Sequence, residues 1–218
     1  GDATTAYEQQ KKLMTLKENS NQGLRYIVAT SSLLKKEDEV LSYAQKGKAL
    51  YPDDFYFVEQ EAYAYTRTDR PQEGINVLEP YLEKYAYNKD LSKAYAEAAE
   101  KQAQKEYKQR DYDQAQHTLL KALQYDPLNK NLQYERGRIF EGQKQYDSAY
   151  YYQRQFNPSL VELAEFKRHL NYLKYKTYKN EIQFSYQQNQ LKDTKLPGIF
   201  TALYHRYQPK NTYNLGLS

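Results

Sequence analysis

A mostly α-helical solenoid that ends in short antiparallel β-strands is the fold class this sequence predicts. Three observations carry it. Segments recur at an interval of 34 residues, apolar side chains within each segment fall at helical spacing, and after Asn180 the period drops to two. Composition sets the bounds. The 218 residues include no Cys, no Trp and one Met but 26 Tyr, so much of any core must be aromatic and alanine. The lack of Cys excludes disulfides, zinc–thiolate sites and thiol nucleophiles, and leaves the redox compartment open. A net charge of +4, from 32 Lys and Arg against 28 Asp and Glu, does not by itself imply a polyanionic partner. No apolar run approaches the ~18–20 residues of a transmembrane helix. Gly1-Asp2-Ala3-Thr4 reads as a mature or trimmed end, with Gly1 a tag remnant.

Taken in chain order, residues 1–20 hold a helix from Thr5 to Lys17 that covers one end of the stack. Residues 21–158 hold the solenoid, about four helix pairs. The first unit, 21–54, carries Val40, Ala44 and Gly47 on its second helix and closes at Leu50-Tyr51-Pro52-Asp53-Asp54. The second, 55–88, has Ala62, Tyr65, Gly74, Leu78 and Tyr81, with Ala86 in the proline position. The third and fourth are framed 96–129 and 130–163. Arg110-Asp111-Tyr112-Asp113-Gln114-Ala115 is echoed by Lys144-Gln145-Tyr146-Asp147-Ser148-Ala149, so Tyr112 and Tyr146, like Ala115 and Ala149, are 34 apart. Ala103 and Gly137 keep the same interval. Small residues there let the two helices of a pair approach closely, the Tyr-Asp pair falls in the turn with Asp as a cap, and Pro127 stops the second helix. Lys89 to Tyr95 is an insertion that lengthens one first helix by about two turns.

These residues resemble the tetratricopeptide repeat. The likeness runs through Tyr107-Lys108-Gln109-Arg110-Asp111-Tyr112-Asp113-Gln114-Ala115, then Lys121-Ala122-Leu123-Gln124-Tyr125-Asp126-Pro127, with Gly137, Phe140, Tyr146 and Ala149 in the following unit. Departures are Glu61, Gln102 and Arg136 where the family has Leu, and a last helix broken early at Asn157-Pro158. The resemblance implies a non-enzymatic scaffold whose first helices line a concave groove for a protein or peptide partner. It carries the groove positions onto Tyr56, Glu59, Gln60, Tyr63 and Arg67; onto Glu100, Lys101, Gln104, Tyr107 and Lys108; and onto Tyr134, Glu135, Arg138 and Glu141. Tyrosine offers large contact area with a polar tip, and arginine adds bidentate recognition. Glu59 and Glu100 stand where the family's carboxylate clamp needs cations, which argues against capture of a C-terminal carboxylate. Tyr107→Ala is expected to weaken partner binding and barely move the melting temperature.

Residues 159–178 predict a capping helix, with Leu160, Leu163, Phe166, Leu170 and Leu173 at helical spacing and Ser159 and Glu162 as a capping box. In the tail, 179–218, Ile182, Phe184 and Tyr186 alternate with polar residues, Ile199 to Tyr207 runs strand-like after Leu196-Pro197-Gly198, and Tyr213, Leu215 and Leu217 start a third strand. Helical repeats followed by Tyr178-Lys179-Asn180-Glu181-Ile182 and these strands resemble the start of YaiO-type outer-membrane β-barrels. That resemblance implies a periplasmic domain of a Gram-negative envelope protein, attached to the outer membrane through residues C-terminal to this chain. The alternative is a freestanding protein with a small β-hairpin appendage that dimerises by strand pairing.

A search for chemistry finds little. His117, His169 and His205 sit in three different elements without ligand spacing, so no metal site is expected. Gly137 to Lys144 only grazes the phosphate-loop pattern, and no Gly-x-Ser-x-Gly elbow or cofactor loop exists. No enzyme and no cofactor are expected. Charge does segregate. From Lys167 onward nine cations stand against Glu181 and Asp193, leaving +7 there and −3 in the first 166 residues. Tyr172, Tyr175 and Tyr178 interleave with those cations, a pattern open to single-stranded nucleic acid or a headgroup belt, but best read as a solvated face.

Overall fold

The computed structural model describes residues 3–16 and 20–177, and the backbone of strand segments between 180 and 217. Ten α-helices come first in its described residues: α1 (Ala3–Leu16), α2 (Asn21–Leu33), α3 (Glu37–Leu50), α4 (Phe55–Arg67), α5 (Pro71–Lys84), α6 (Lys89–Lys108), α7 (Tyr112–Tyr125), α8 (Lys130–Gly142), α9 (Tyr146–Gln153) and α10 (Leu163–Thr177). From α2 to α9 they form four antiparallel pairs. The first helix of each pair (A) packs on its own second helix (B) and on the A helix of the next pair.

The repeat is written into the backbone as well as the side chains. Ser20, Asp54, Asn88 and Asn129 cap the A helices, each accepting from backbone N–H groups of the first turn. They are 34, 34 and 41 residues apart. Each A helix ends in a Schellman motif whose left-handed residue is Lys35, Asp69, Arg110 or Lys144, with φ of 57, 60, 64 and 61°. The closing bonds run from Lys36 N to Ser31 O, Arg70 N to Tyr65 O, Asp111 N to Glu106 O, and Gln145 N to Phe140 O. Among the described residues no glycine takes a positive φ, so glycine serves packing here and not turning. The seven-residue insertion lies inside α6, which is 20 residues long where α4 and α8 have 13. Seven residues are close to two turns, so α6 grows by about 10 Å while its faces rotate by only ~20°.

Glycine and alanine hold the pairs together. A Cβ on Gly137 would lie 2.5 Å from Gln153 Cγ and 3.2 Å from the Ala149 carbonyl oxygen, and one on Gly74 would lie 2.9 Å from the Ala62 carbonyl oxygen. Ala115 and Ala149, both fully buried, occupy equivalent places in the first turn of α7 and α9, their N–H groups bonded to the N-cap carbonyls of Asp111 and Gln145. The Tyr-Asp pair is not in the turn. Asp111, not Asp113, caps α7, and Gln145 stands before α9 without a side-chain cap. The chain reverses one residue earlier because the left-handed residue already completes the turn.

The departures from the repeat pattern are polar links, Glu61 and Arg136 to the preceding pair and Gln102 within its own. Glu61, 3% exposed, is ion-paired to Lys48 and accepts from Gln45 on α3. Arg136 donates to Gln116 on α7 at 3.2 Å and stacks 4.5 Å from the Tyr152 ring. Gln102 donates within α6 to Glu106, whose other oxygen accepts from Thr118 on α7.

Both ends are covered. Tyr7 of α1, 1% exposed, brings its hydroxyl to 2.6 and 2.8 Å from the Glu39 carboxylate oxygens. At the other end α10 packs on α9, with Leu173 buried. It begins at Leu163, not Ser159. The Ser159 hydroxyl binds the Glu162 side chain at 2.7 Å in place of a helix N–H, and Leu160 is 90% exposed. Beyond α10 the described backbone is strand: β1 (Asn180–Gln187), β2 (Gln190–Leu191), β3 (Thr194–Lys195), β4 (Ile199–Arg206) and β5 (Asn214–Leu217). Antiparallel pairing gives a β1-β4-β5 sheet, with Phe184 opposite Ala202 and Tyr204 opposite Leu215, and a separate β2-β3 pair. Tyr178, Tyr207 and Tyr213, included in the sequence pattern, lie outside the described residues.

Candidate interaction face of the A helices

Helices α2, α4, α6 and α8 lie side by side and form one wall. Its N-terminal end is organised by Arg25, which sequence reasoning left out. Arg25 forms a bidentate pair with Asp54, at 2.9 and 2.8 Å, and Asn21 donates to the same carboxylate at 2.9 Å. The guanidinium lies 4.5 Å from the centre of the Tyr56 ring, and the Tyr56 hydroxyl donates to the Arg25 carbonyl at 3.4 Å. The Arg25 hydrogen bonds hold the Asp54 carboxyl below the usual range. This cation is fully engaged.

The middle of the wall is different. Glu59 and Tyr63 of α4 are half-buried, and among the described residues the Glu59 carboxylate has no hydrogen bond or ion pair and the Tyr63 hydroxyl no hydrogen bond. Burial first, then the nearby Asp90 carboxylate, pushes the Glu59 carboxyl up, against Lys93 and Arg25. Burial and the carboxylates of Glu59, Glu97 and Asp90 push the Tyr63 phenol up to about 12. Facing α4 is a stripe of α6: Asp90, Lys93, Glu97, Glu100, Gln104 and Tyr107 recur every three or four residues along one helix face, about 25 Å long. Burial and then Glu135 raise the Glu100 carboxyl. Gln60 is half-buried beside this row, while Lys101 and Lys108 are exposed. Arg67 donates to Glu37 of α3 at 2.8 Å, with its guanidinium 6.0 Å from the centre of the Tyr63 ring.

At the C-terminal end the predicted contact residues turn inward. Glu135, 8% exposed, accepts from Gln104 at 2.9 Å and from Arg138 at 3.1 and 3.0 Å. The Arg138 guanidinium sits 5.5 Å from the Tyr107 ring, which leans on Tyr112 with centroids 5.6 Å apart. Tyr134 stacks on Phe156 at 4.5 Å and meets Phe166 of α10 at 6.1 Å. Glu141 leaves the wall altogether, accepting from Gln153 at 3.0 Å with His169 of α10 also at 3.0 Å. Seven of the expected residues therefore form one electrostatically connected row: Tyr56, Glu59, Tyr63, Glu100, Gln104, Glu135 and Arg138. Arg67, Tyr134 and Glu141 serve the fold at its edges. Arg25 was legible, since it holds the same repeat position as Glu59 and Glu100. Asp90 and Lys93 were not, because they fall in the insertion where 34-residue counting has no position for them.

Among the described residues no group of His, Asp and Glu could hold a metal ion, and no helix is long and apolar enough to cross a membrane. No protein-family model and no curated protein matches this chain. Solved structures do. A crystal structure of MamA is 18% identical, with a TM-score of 0.57 over 78% of this chain and 92% of its own. MamA from residue 41 onward of Desulfovibrio magneticus RS-1 is 14% identical, TM-score 0.53, over 81% and 88%. A tetratricopeptide repeat protein from Parabacteroides merdae is 10% identical, TM-score 0.52, over 81% and 73%. At these identities the likeness is one of fold. The helical part of this chain has the tetratricopeptide-type fold.

Proposed function

We propose that this chain is a non-enzymatic protein-interaction scaffold that holds a polypeptide segment against its A-helix wall. The observation that carries this is the middle of the wall. Half-buried Glu59 and the Tyr63 hydroxyl are desolvated by the fold without the hydrogen-bond partners that buried polar groups ordinarily find, and half-buried Glu100 has one long bond from Gln104 at 3.4 Å. Such groups cost stability in the free protein and recover it on contact with a partner. A photo-crosslinking residue at the exposed wall position Lys101 should capture polypeptide in a native extract, whereas one at Gln124, exposed on α7, should not. Equal labelling from both positions overturns the proposal.

The placement is a cell envelope: periplasmic, with the tail leading into an outer-membrane barrel. What supports it is the period-two tail and its strands of about eight residues. A native gene whose coding sequence ends at Ser218 would remove the barrel. The second reading, homodimerisation through the tail, is favoured by the strand order, which leaves β1 and β5 as edges. Light scattering of 1–218 against 1–178 separates the two, since only dimerisation by strands predicts a monomer after truncation.

A further inference from the structure

We propose that the polypeptide held by the wall is an extended segment bearing Lys or Arg, with one cation seated beside Tyr63 among Glu59, Asp90 and Glu97 and a second at Glu100. This rests on the A-helix wall being the binding surface and goes further by naming the chemistry of its occupant.

The charges along the wall do not balance. Three of its cations are spent on carboxylates of the protein itself: Arg25 on Asp54, Arg67 on Glu37 and Arg138 on Glu135. What remains between them is Glu59, Asp90, Glu97 and Glu100 against Lys93 and Lys101, so the centre of the wall carries a surplus of negative charge. Half of the surplus is withdrawn from water: Glu59 and Glu100 are half-buried, while Asp90 and Glu97 are exposed beside them. Glu59 feels Asp90, Tyr63 feels Glu59, Glu97 and Asp90 with only Arg67 opposing, and Glu100 feels Glu97 and Glu135, so exposed carboxylates press on half-buried ones. An anionic or neutral occupant would leave that repulsion in place or add to it. A cationic side chain relieves it and finds the Tyr63 ring alongside.

The insertion in α6 builds this seat. Asp90 and Lys93 stand on the two extra turns, and without them the carboxylates acting on Tyr63 would be Glu59 and Glu97, with Arg67 opposing them. Because the insertion is nearly two whole turns, it extends the α6 stripe without rotating it away from α4. The stripe of about 25 Å matches seven or eight residues of extended chain at ~3.3 Å each.

The test uses the full chain and three dye-labelled nonapeptides, with Lys, Gln or Glu alternating with Ala, followed by fluorescence anisotropy at low ionic strength. The Lys peptide should bind at least about tenfold more tightly than the other two. Glu59→Gln with Glu97→Gln should weaken it by about tenfold, whereas Glu73→Gln with Glu83→Gln, the same charge change on exposed α5 positions, should leave it unchanged. Equal losses in the two double variants would mean long-range attraction only, and would overturn the seat. Gln or Glu peptides binding as tightly as Lys would also overturn it. In that case polypeptide capture at Lys101 would still uphold the wall, so the two claims fail separately.

Discussion

Glu59 and Tyr134 occupy the same position in their repeats, yet they have opposite fates. Glu59 stands on an open part of the wall, half-buried and unpaired. Tyr134 is roofed by Phe156 and Phe166 and has become part of the cap. Glu100, at the same position again, is left with a single long bond from Gln104 at 3.4 Å, whereas Glu141 at the end of α8 is bound to α9 and α10. A repeat position fixes where a side chain stands, but the neighbouring element decides whether it is free for a partner. In a solenoid the middle repeats can keep a binding wall open, and the last one must use the same residues to close the stack.

Four measurements would break or sharpen that contrast. The largest effect should come from the capped end. Gly137→Leu drives a side chain into Gln153 and the Ala149 carbonyl and should cost about 3 kcal/mol in urea unfolding, with Ala103→Leu at the corresponding crossing costing ~1–3 kcal/mol. Next, Phe166→Ala should cost about 2 kcal/mol, less than a fully buried Phe because its ring is only half-covered. It should also speed amide exchange in α10 while leaving α4 unchanged. Equal protection loss in both helices would mean the two regions are not independent.

Tyr107→Ala comes third. A pure contact residue would lose binding with hardly any change in melting temperature, but here the ring supports Arg138 and packs against Tyr112 and the core. The expected outcome is a loss of about 1–2 kcal/mol as well as weaker binding. The smallest effect is electrostatic. The Glu59 and Glu100 carboxyls are raised above 4.5, so their contribution to stability is fully present below 4.5 and is lost as pH rises through their folded values. The groups facing Glu59 are Asp90, Lys93 and Arg25, and those facing Glu100 are Glu135, Lys101, Glu97 and Arg138. Asp54 works in the other direction. Its carboxyl is held below 3.8 by Arg25, so its contribution is present above 3.8 and is lost as pH falls through the lowered value. Glu59→Gln with Glu100→Gln should therefore raise the melting temperature at pH 7 and leave it nearly unchanged at pH 4. Asp54→Asn should lower it at pH 7.

Much of the helical architecture was legible because small residues and caps recur at fixed intervals. Ala62, Ala103 and Gly137 mark the A helices, and Gly74, Ala115 and Ala149 the B helices, since each crossing tolerates so little volume. The turn chemistry was harder to read. Lys35, Asp69, Arg110 and Lys144 take left-handed backbone without being glycine, so nothing in their identity announces a Schellman motif. The start of α10 was misplaced for a related reason: Ser159 and Glu162 have capping-box spacing, but their side chains bind each other.

The sequence alone determined the repeat, the close helix crossings and the two-turn insertion, because these depend on residue volume and on counting along the chain. Only the tertiary structure decided which charges are spent and which are left over. Arg25 meets Asp54, Arg67 meets Glu37 and Arg138 meets Glu135, while Glu59 and Glu100 keep no cation of their own. Electrostatic balance depends on distance and burial between helices far apart in the chain, and neither is written in the order of the residues.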